Sequence, residues 1–185
     1  MRIVKHFRAD QEMILRFLDI LGEGSAILTS NKHARPGFFL FAYAFIHEYV
    51  DDIFFRKEQL LIKALEDNGF PPDDGPVHSM HMEQKKSHES AEHMLNAAKG
   101  WQAGDQEARA EVGWATSEYT STLRQHIDRL KNLIFPLLEQ NLSPEDEHKI
   151  AEGLNIIAFE KATKDDISKY TKLLESLEEE LNDWR

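Results

Sequence analysis

Histidine is the residue type in this chain with the widest range of chemistry, and there are nine histidines among 185 residues. Several stand three, four or seven positions from another histidine or an acid, as in His47 with Asp51, His78 with His81, and His81 with His88. Residues at such spacing share a helix face, and helical bundles build metal sites from imidazoles and carboxylates that project inward. An acidic helical protein also produces such pairs by chance, so spacing alone indicates a metal site only weakly.

Most other chemistries are disfavoured by composition. The absence of cysteine excludes disulfides, thiolate metal sites, iron–sulfur clusters and a cysteine nucleophile. No phosphate-binding loop, Ser/His/Asp arrangement or HExxH helix is present. A formal charge of -11 argues against nucleic-acid binding, which needs a basic face. No apolar run approaches the ~20 residues of a membrane span, and charges interrupt the first ten residues, so we expect a cytoplasmic protein without membrane association.

The histidines must be positioned by helices, because strand signals are almost absent and long segments repeat apolar residues at three and four positions. Glycine, proline and polar turns separate four such segments. The predicted helices run from Arg8 to Leu21, from Phe38 to Glu66, from Pro76 to Lys99, and from about Asp105 to Phe135-Pro136. Long helices joined by short turns predict an all-α fold, an antiparallel up-down four-helix bundle.

The C-terminal part of the chain is predicted to add two further helices. Ser143 followed by Pro144, Glu145 and Asp146 is typical of a helix start, and that helix should end near Phe159. A last helix opens at Lys164-Asp165-Asp166, and its apolar stripe is Ile167, Tyr170, Leu173, Leu174, Leu177 and Leu181. We therefore predict a single domain over residues 1–185, with a bundle over 8–142 and an extension over 143–185 packed on it.

The start of the second predicted helix is unusually aromatic, with Phe38, Phe39, Phe41, Tyr43 and Phe45. At helical spacing these residues occupy more than one face. Core packing accounts for one face. The other should meet either the C-terminal helices or a second subunit, which makes a homodimer through this surface one of two expectations.

A series of short motifs along the chain resembles the hemerythrin-like (HHE) family. The resemblance covers about Ala9 to Leu142. The matching stretches are Lys57-Glu58-Gln59-Leu60-Leu61, Asn68-Gly69, Gly75-Pro76-Val77, Met80, Glu83-Gln84, Leu123-Arg124-Gln125-His126-Ile127 and Leu133-Ile134-Phe135-Pro136. The resemblance implies a four-helix bundle around a non-haem iron centre, usually di-iron, that serves to bind oxygen, to sense iron or oxygen, or to handle nitric oxide.

Carried over residue by residue, the resemblance implies that five of the six family ligand positions are substituted. The family ligands fall on Gln11, Phe55, Gln59, Gln84, His126 and Leu130, of which His126 alone keeps a ligating type. Two iron ions need bridging carboxylates and several imidazoles to offset the desolvation of their charge. We therefore expect no di-iron centre at these positions.

The favoured interpretation is a former metal site converted into a hydrogen-bonded, partly apolar core, in which three amides and one imidazole satisfy one another. The protein would then be a non-enzymatic binding or sensory protein that needs no cofactor, with a protein or small molecule of unknown identity as its partner. A redox enzyme is disfavoured because Gln59 and Leu130 replace the acids that it would need near the metals.

Two sharper alternatives remain open. In the first, a single Fe(II) or Zn(II) ion, and with it iron, oxygen or nitric oxide chemistry, has moved along the bundle axis. Its ligands would be His47, Asp51, His88 and Glu118. In the second, the bundle core holds a haem between apolar walls that include Phe54 and Phe55. His126 would be one axial ligand, with Met80 or His81 opposite.

Overall fold

The structure is a computed structural model that describes residues 2–30, 32–164, 166 and 168–185. The described residues form helices joined by turns and contain no strand, which confirms the all-α fold. In chain order the elements are α1 (Arg2–Leu28), α2 (Pro36–Phe45), a π-helical segment (Ile46–Phe55), α3 (Arg56–Asp67), α4 (Gly75–Gln102), α5 (Ala108–Arg129), a second π-helical segment (Leu130–Ile134), α6 (Phe135–Asn141), α7 (Pro144–Lys164) and α8 (Ser168–Trp184). No helix of these described residues has the length and apolar character to cross a membrane.

Helix α1 is longer at both ends than its sequence pattern predicts. It continues through Gly22 and Gly24 to Leu28, so the predicted stop at the two glycines is wrong. Gly24 serves packing instead, because a Cβ atom there would lie 2.6 Å from Cε1 of Phe38. Glycine thus allows α1 to approach the start of α2 closely.

The predicted second helix is one continuous rod, but its middle is not α-helical. The ten residues of Ile46–Phe55 form a π-helix between α2 and α3. A π-helix holds more residues in each turn than an α-helix, so side chains four positions apart no longer lie on one line. The direction in which His47 and Asp51 point therefore cannot be worked out from α3 by assuming α-helical geometry.

The bundle is built by packing of long neighbouring helices. Helix α5 packs most extensively on α4 and also on α1, while α2 packs on α4. The connections over residues 68–74 and 103–107 are short, which makes the helices that they join run antiparallel. One core of buried apolar side chains runs through all of these elements.

Helices α7 and α8 form the predicted extension and pack on the bundle, α7 on α3 and α1, and α8 on α1 and α2. At the start of α7 the Asp146 N–H donates to Ser143 Oγ at 3.1 Å and the Ser143 N–H donates to Asp146 Oδ2 at 3.2 Å, a reciprocal cap. The helix runs on to Lys164 rather than ending near Phe159. The stripe of α8 is buried as predicted at Tyr170, Leu173, Leu174, Leu177 and Leu181. Asp165 and Ile167 lie outside the described residues.

The aromatic start of α2 meets the C-terminal extension, which was one of its two expected partners. The Phe38 ring centroid lies 4.8 Å from that of Trp184, and Phe45 lies 6.4 Å from Tyr170. Phe41 is exposed. A homodimer through this surface stays a prediction, with Phe41 as its aromatic contact.

Candidate functional site

A buried carboxylate and a buried imidazole lie against each other at the centre of the bundle. Glu58 on α3 and His126 on α5 are both fully buried. His126 Nε2 lies 2.7 Å from Glu58 Oε1 and 2.8 Å from Glu58 Oε2. Because α3 presents Glu58 on the same stripe as the buried Leu61 and Leu65, packing of that stripe carries the carboxylate into the core.

A second carboxylate, Glu83 on α4, approaches the other side of the same ring. Its Oε1 lies 3.1 Å from His126 Nδ1 and accepts a hydrogen bond from Arg129 Nε at 2.9 Å. Arg129 stands three residues after His126, so one face of α5 delivers both basic groups to Glu83.

These contacts determine the protonation of His126. A carboxylate can only accept, so with a carboxylate at each ring nitrogen the imidazole carries both N–H groups. Burial by itself lowers the pKa of His126, but the charges and hydrogen bonds of Glu58 and Glu83 outweigh burial and raise the pKa to about 9. For Glu83 burial also opposes the charged form and so raises the pKa, but His126 and Arg129 hold the pKa of Glu83 below its usual value. Two anions and two cations therefore balance at the centre.

Two of the predicted amides extend this network towards the surface. Gln84 Nε2 donates to Glu58 Oε2 at 2.7 Å, and Gln59 Nε2 donates to Gln84 Oε1 at 2.9 Å. The expectation that the amides and the imidazole satisfy one another is thus met in part, through Glu58. Gln11 is outside the network, because its Nε2 is buried without a hydrogen-bond partner among the described residues.

Hydrocarbon surrounds the ion pair. Phe55 is buried, and its ring meets the His126 ring edge to face with the centroids 5.6 Å apart. Leu130 is fully buried one turn after His126. His126 itself has no exposed surface, and neither hydrocarbon side chain offers a lone pair to a metal ion.

On α3, the residue that points into the bundle is not the one that the sequence predicted. Gln59, the expected bridging position, is exposed, whereas its neighbour Glu58 is buried. Sequence reasoning passed over both Glu58 and Glu83 as centre residues. A signal was available for Glu58, because Phe54, Glu58, Leu61 and Leu65 repeat at four, three and four positions, and an acid within an apolar stripe indicates a buried partner.

The four residues of the displaced metal site are brought together only in part. Asp51 Oδ2 lies 3.8 Å from His88 Nδ1, and the charge of His47 also acts on Asp51. Glu118 instead pairs with Lys86 at 3.8 Å, and its side chain is half exposed. Among the described residues no group of three or more His, Asp or Glu side chains is arranged to hold a metal ion.

The haem ligands are engaged elsewhere. Both ring nitrogens of His126 contact carboxylates, and the half-exposed His81 has its Nε2 3.4 Å from Glu66 Oε1. Met80 is fully buried and packs in the hydrophobic core. An axial pair at these positions would require the ion pair at the centre to be broken.

The donor set at the centre also fails to fit a di-iron site. Phenylalanine, leucine and two amides stand at positions that the sequence resemblance assigns to family ligands. The one imidazole has its two nitrogens engaged on opposite sides of the ring, by Glu58 and Glu83. A single ion could use one nitrogen at most, so Glu58, Glu83 and His126 cannot share one ion in this arrangement.

Comparisons with known proteins give one match. The family model described as the hemerythrin HHE cation binding domain matches residues 2–138. No curated protein and no solved structure matches the chain.

Proposed function

Because the chain belongs to the hemerythrin HHE cation-binding family, we propose that it is a binding or sensory member, without enzymatic activity, in which a charged hydrogen-bond network takes the place of the metal centre. One observation carries the proposal. The single imidazole left at the family positions is held between two carboxylates, Glu58 and Glu83.

The charges at the centre support a replacement of metal by protein groups. In a metal centre the bound cations neutralise the inward carboxylates. Here the protonated His126 and Arg129 supply positive charge to Glu58 and Glu83. A cation entering the site would have to displace a proton from His126, whose raised pKa opposes that loss at neutral pH.

Absence of catalytic function is proposed on the same grounds. A general acid or base needs a lone pair or proton that it can exchange with a substrate. Glu58 and His126 are fully buried, the partly buried Glu83 and Arg129 are bonded to each other, and the Phe55 ring lies against His126. We expect such a protein to take its ligand at another surface or cavity.

Metal analysis tests the proposal directly. Protein purified from iron-supplemented culture should carry iron well below one ion per chain, with no absorption bands of oxo-bridged iron and no Soret band. A His126→Leu variant should leave that metal content unchanged. Two irons per chain, or haem, lost in the His126 variant and retained in His88→Leu, would overturn the proposal.

A second measurement gives a positive readout. In nitrogen-15 NMR at pH 7, His126 should show both ring nitrogens protonated, because its pKa is raised to about 9. A neutral His126 at pH 7 would contradict the proposed charge balance.

Metal that is lost in His47→Ala or His88→Ala but kept in Gln84→Ala would instead favour the displaced mononuclear site, and with it a role in handling iron, oxygen or nitric oxide.

A further inference from the structure

A cavity lies between the bundle and the C-terminal extension. Its lining residues do not include Glu58, Glu83 or His126. We propose that this cavity binds a small monocarboxylate with a short apolar chain. Its volume is about 110 Å³. That is less than the ~150 Å³ of an apolar cavity that holds benzene, so a ligand of about five non-hydrogen atoms matches it in size.

The walls of the cavity are largely apolar. They are formed by Asp10 of α1, by residues between 49 and 57, and by residues between 157 and 170. Ile53 belongs to the π-helical segment, Ile157 to α7, and both are buried. The rings of Tyr49 and Tyr170 meet edge to face with centroids 5.1 Å apart. These side chains suit the hydrocarbon part of a ligand, and a junction between packed units is a frequent place for ligand sites.

The carboxylate that lines the cavity, Asp10, already has hydrogen-bond partners on both of its oxygens. Tyr49 donates its O–H to Asp10 Oδ1 at 2.8 Å, and Lys57 Nζ donates to Asp10 Oδ2 at 2.6 Å. Asp10 is buried, so a ligand amine would have to compete with the Lys57 ammonium for it. A cationic ligand is therefore disfavoured.

The remaining hydrogen-bonding capacity of the wall is cationic. The Lys57 ammonium has three N–H donors, of which the described contacts use one, on Asp10. Lys161, a second ammonium in the wall, pairs with Asp52, whose side chain is more than half exposed. Asp52 does not line the cavity, so the wall itself holds two ammonium groups and one carboxylate, Asp10. This balance favours an anionic ligand, whose carboxylate can accept from an ammonium group.

The π-helix provides a separate indication. π-Helical turns are rare and occur often at functional sites, because the extra residue displaces side chains from the positions that an α-helix would give them. Tyr49 and Ile53 both lie in the π-helical segment. Since His126, Glu58 and Glu83 take no part in this cavity, the inference does not depend on the function proposed for the centre.

Methyl NMR of isoleucine-labelled protein tests the site with propionate as the probe. Propionate should shift the methyl signals of Ile53 and Ile157 saturably and leave that of Ile14, which is not in the wall, in place. Propionamide, which has the same shape without charge, and propylamine should bind at least tenfold more weakly. Absence of saturable shifts at the two wall methyls, or equal binding of propionamide, would overturn the proposal.

Two substitutions on α7 localise the binding. Ala158 lines the cavity and is itself exposed, so Ala158→Leu should block the cavity and abolish the shifts without disturbing the fold. Ala162→Leu, one turn later on the same helix and outside the wall, is the matched control and should bind like wild type. Lys161→Met should weaken propionate at least fivefold and propionamide little. Unchanged binding in both Ala158→Leu and Lys161→Met would show that the ligand sits elsewhere.

Discussion

Two carboxylate–imidazole pairs lie in the same bundle and differ sharply in burial. Glu58 and His126 have no exposed side-chain surface and are 2.7 Å apart. Asp51 and His88 are 3.8 Å apart, with 24% and 60% of their side-chain surface exposed. Both pairs join an acid of the second long helical rod to a histidine of a facing helix, so residue type and spacing do not separate them.

Their pKa values show which interaction prevails in each pair. Burial lowers the pKa of His126, yet the two carboxylates overcome burial and raise the pKa to about 9. At Asp51 burial raises the pKa to about 6, and the nearby His88 and His47 lower it by less than burial raises it. The short, enclosed pair stabilises its charges, whereas at the longer, wetter pair the protein environment opposes the charge.

The largest expected effect is that of breaking the buried pair. His126→Leu keeps the volume but leaves Glu58 buried without its cation, so the free energy of unfolding should fall by about 3–5 kcal/mol. His88→Leu, the same substitution at the exposed pair, should change it by less than about 0.5 kcal/mol. Urea denaturation of both variants measures the difference. Equal losses would mean that burial does not distinguish the two pairs.

The pH dependence of stability should come next in size. His126 has a pKa of about 9 in the folded protein against an ordinary value of 6.5, so its contribution is complete below pH 6.5 and is lost as the pH rises through 9. The loss should be on the order of 3 kcal/mol. Urea midpoints at pH 6 and pH 9.5 measure it, with a His126→Leu, Glu58→Leu double variant as the reference for other titrating groups. If the wild type and this double variant lose stability in parallel, His126 is not protonated in the folded state.

The same double variant tests whether the penalty comes from an unpaired charge. Replacing Glu58 as well as His126 by leucine removes both charges, and apolar residues of similar volume can replace a buried ion pair at little cost. The double variant should therefore regain about 2 kcal/mol over His126→Leu. Glu83 keeps Arg129 as its partner in this variant. A double variant less stable than the single one would show that the pair contributes more than mutual neutralisation.

The fold was predictable from sequence to a larger degree than the site. Apolar residues at three and four positions located the long helices of the bundle and α8, because the bundle core is made of such buried stripes. Helix α7 was located by the capping residues at its start instead. The local rule that glycine ends a helix failed at Gly24, where close packing on Phe38 decides. The π-helical segment left no signal in the sequence. The apolar stripe of α3 indicates that Glu58 faces inward, but its partner, His126, lies 68 positions away and no sequence spacing reveals the pair.

The smallest effect is expected at the exposed pair, and its sign is opposite. The pKa of Asp51 is raised to about 6 from 3.8, so ionisation of Asp51 opposes folding by very little below pH 3.8, increasingly between pH 3.8 and 6, and by a constant amount well above pH 6. Asp51→Asn should therefore stabilise the protein at pH 8 by about 1 kcal/mol, less than the pKa shift alone implies because the partly exposed carboxylate is screened by solvent. The gain should vanish at pH 3.5, whereas a gain at both pH values would come from altered packing rather than charge. Loss of stability at pH 8 would mean that the Asp51 and His88 contact stabilises the folded state after all, and the contrast with the pair at the centre would then be one of degree.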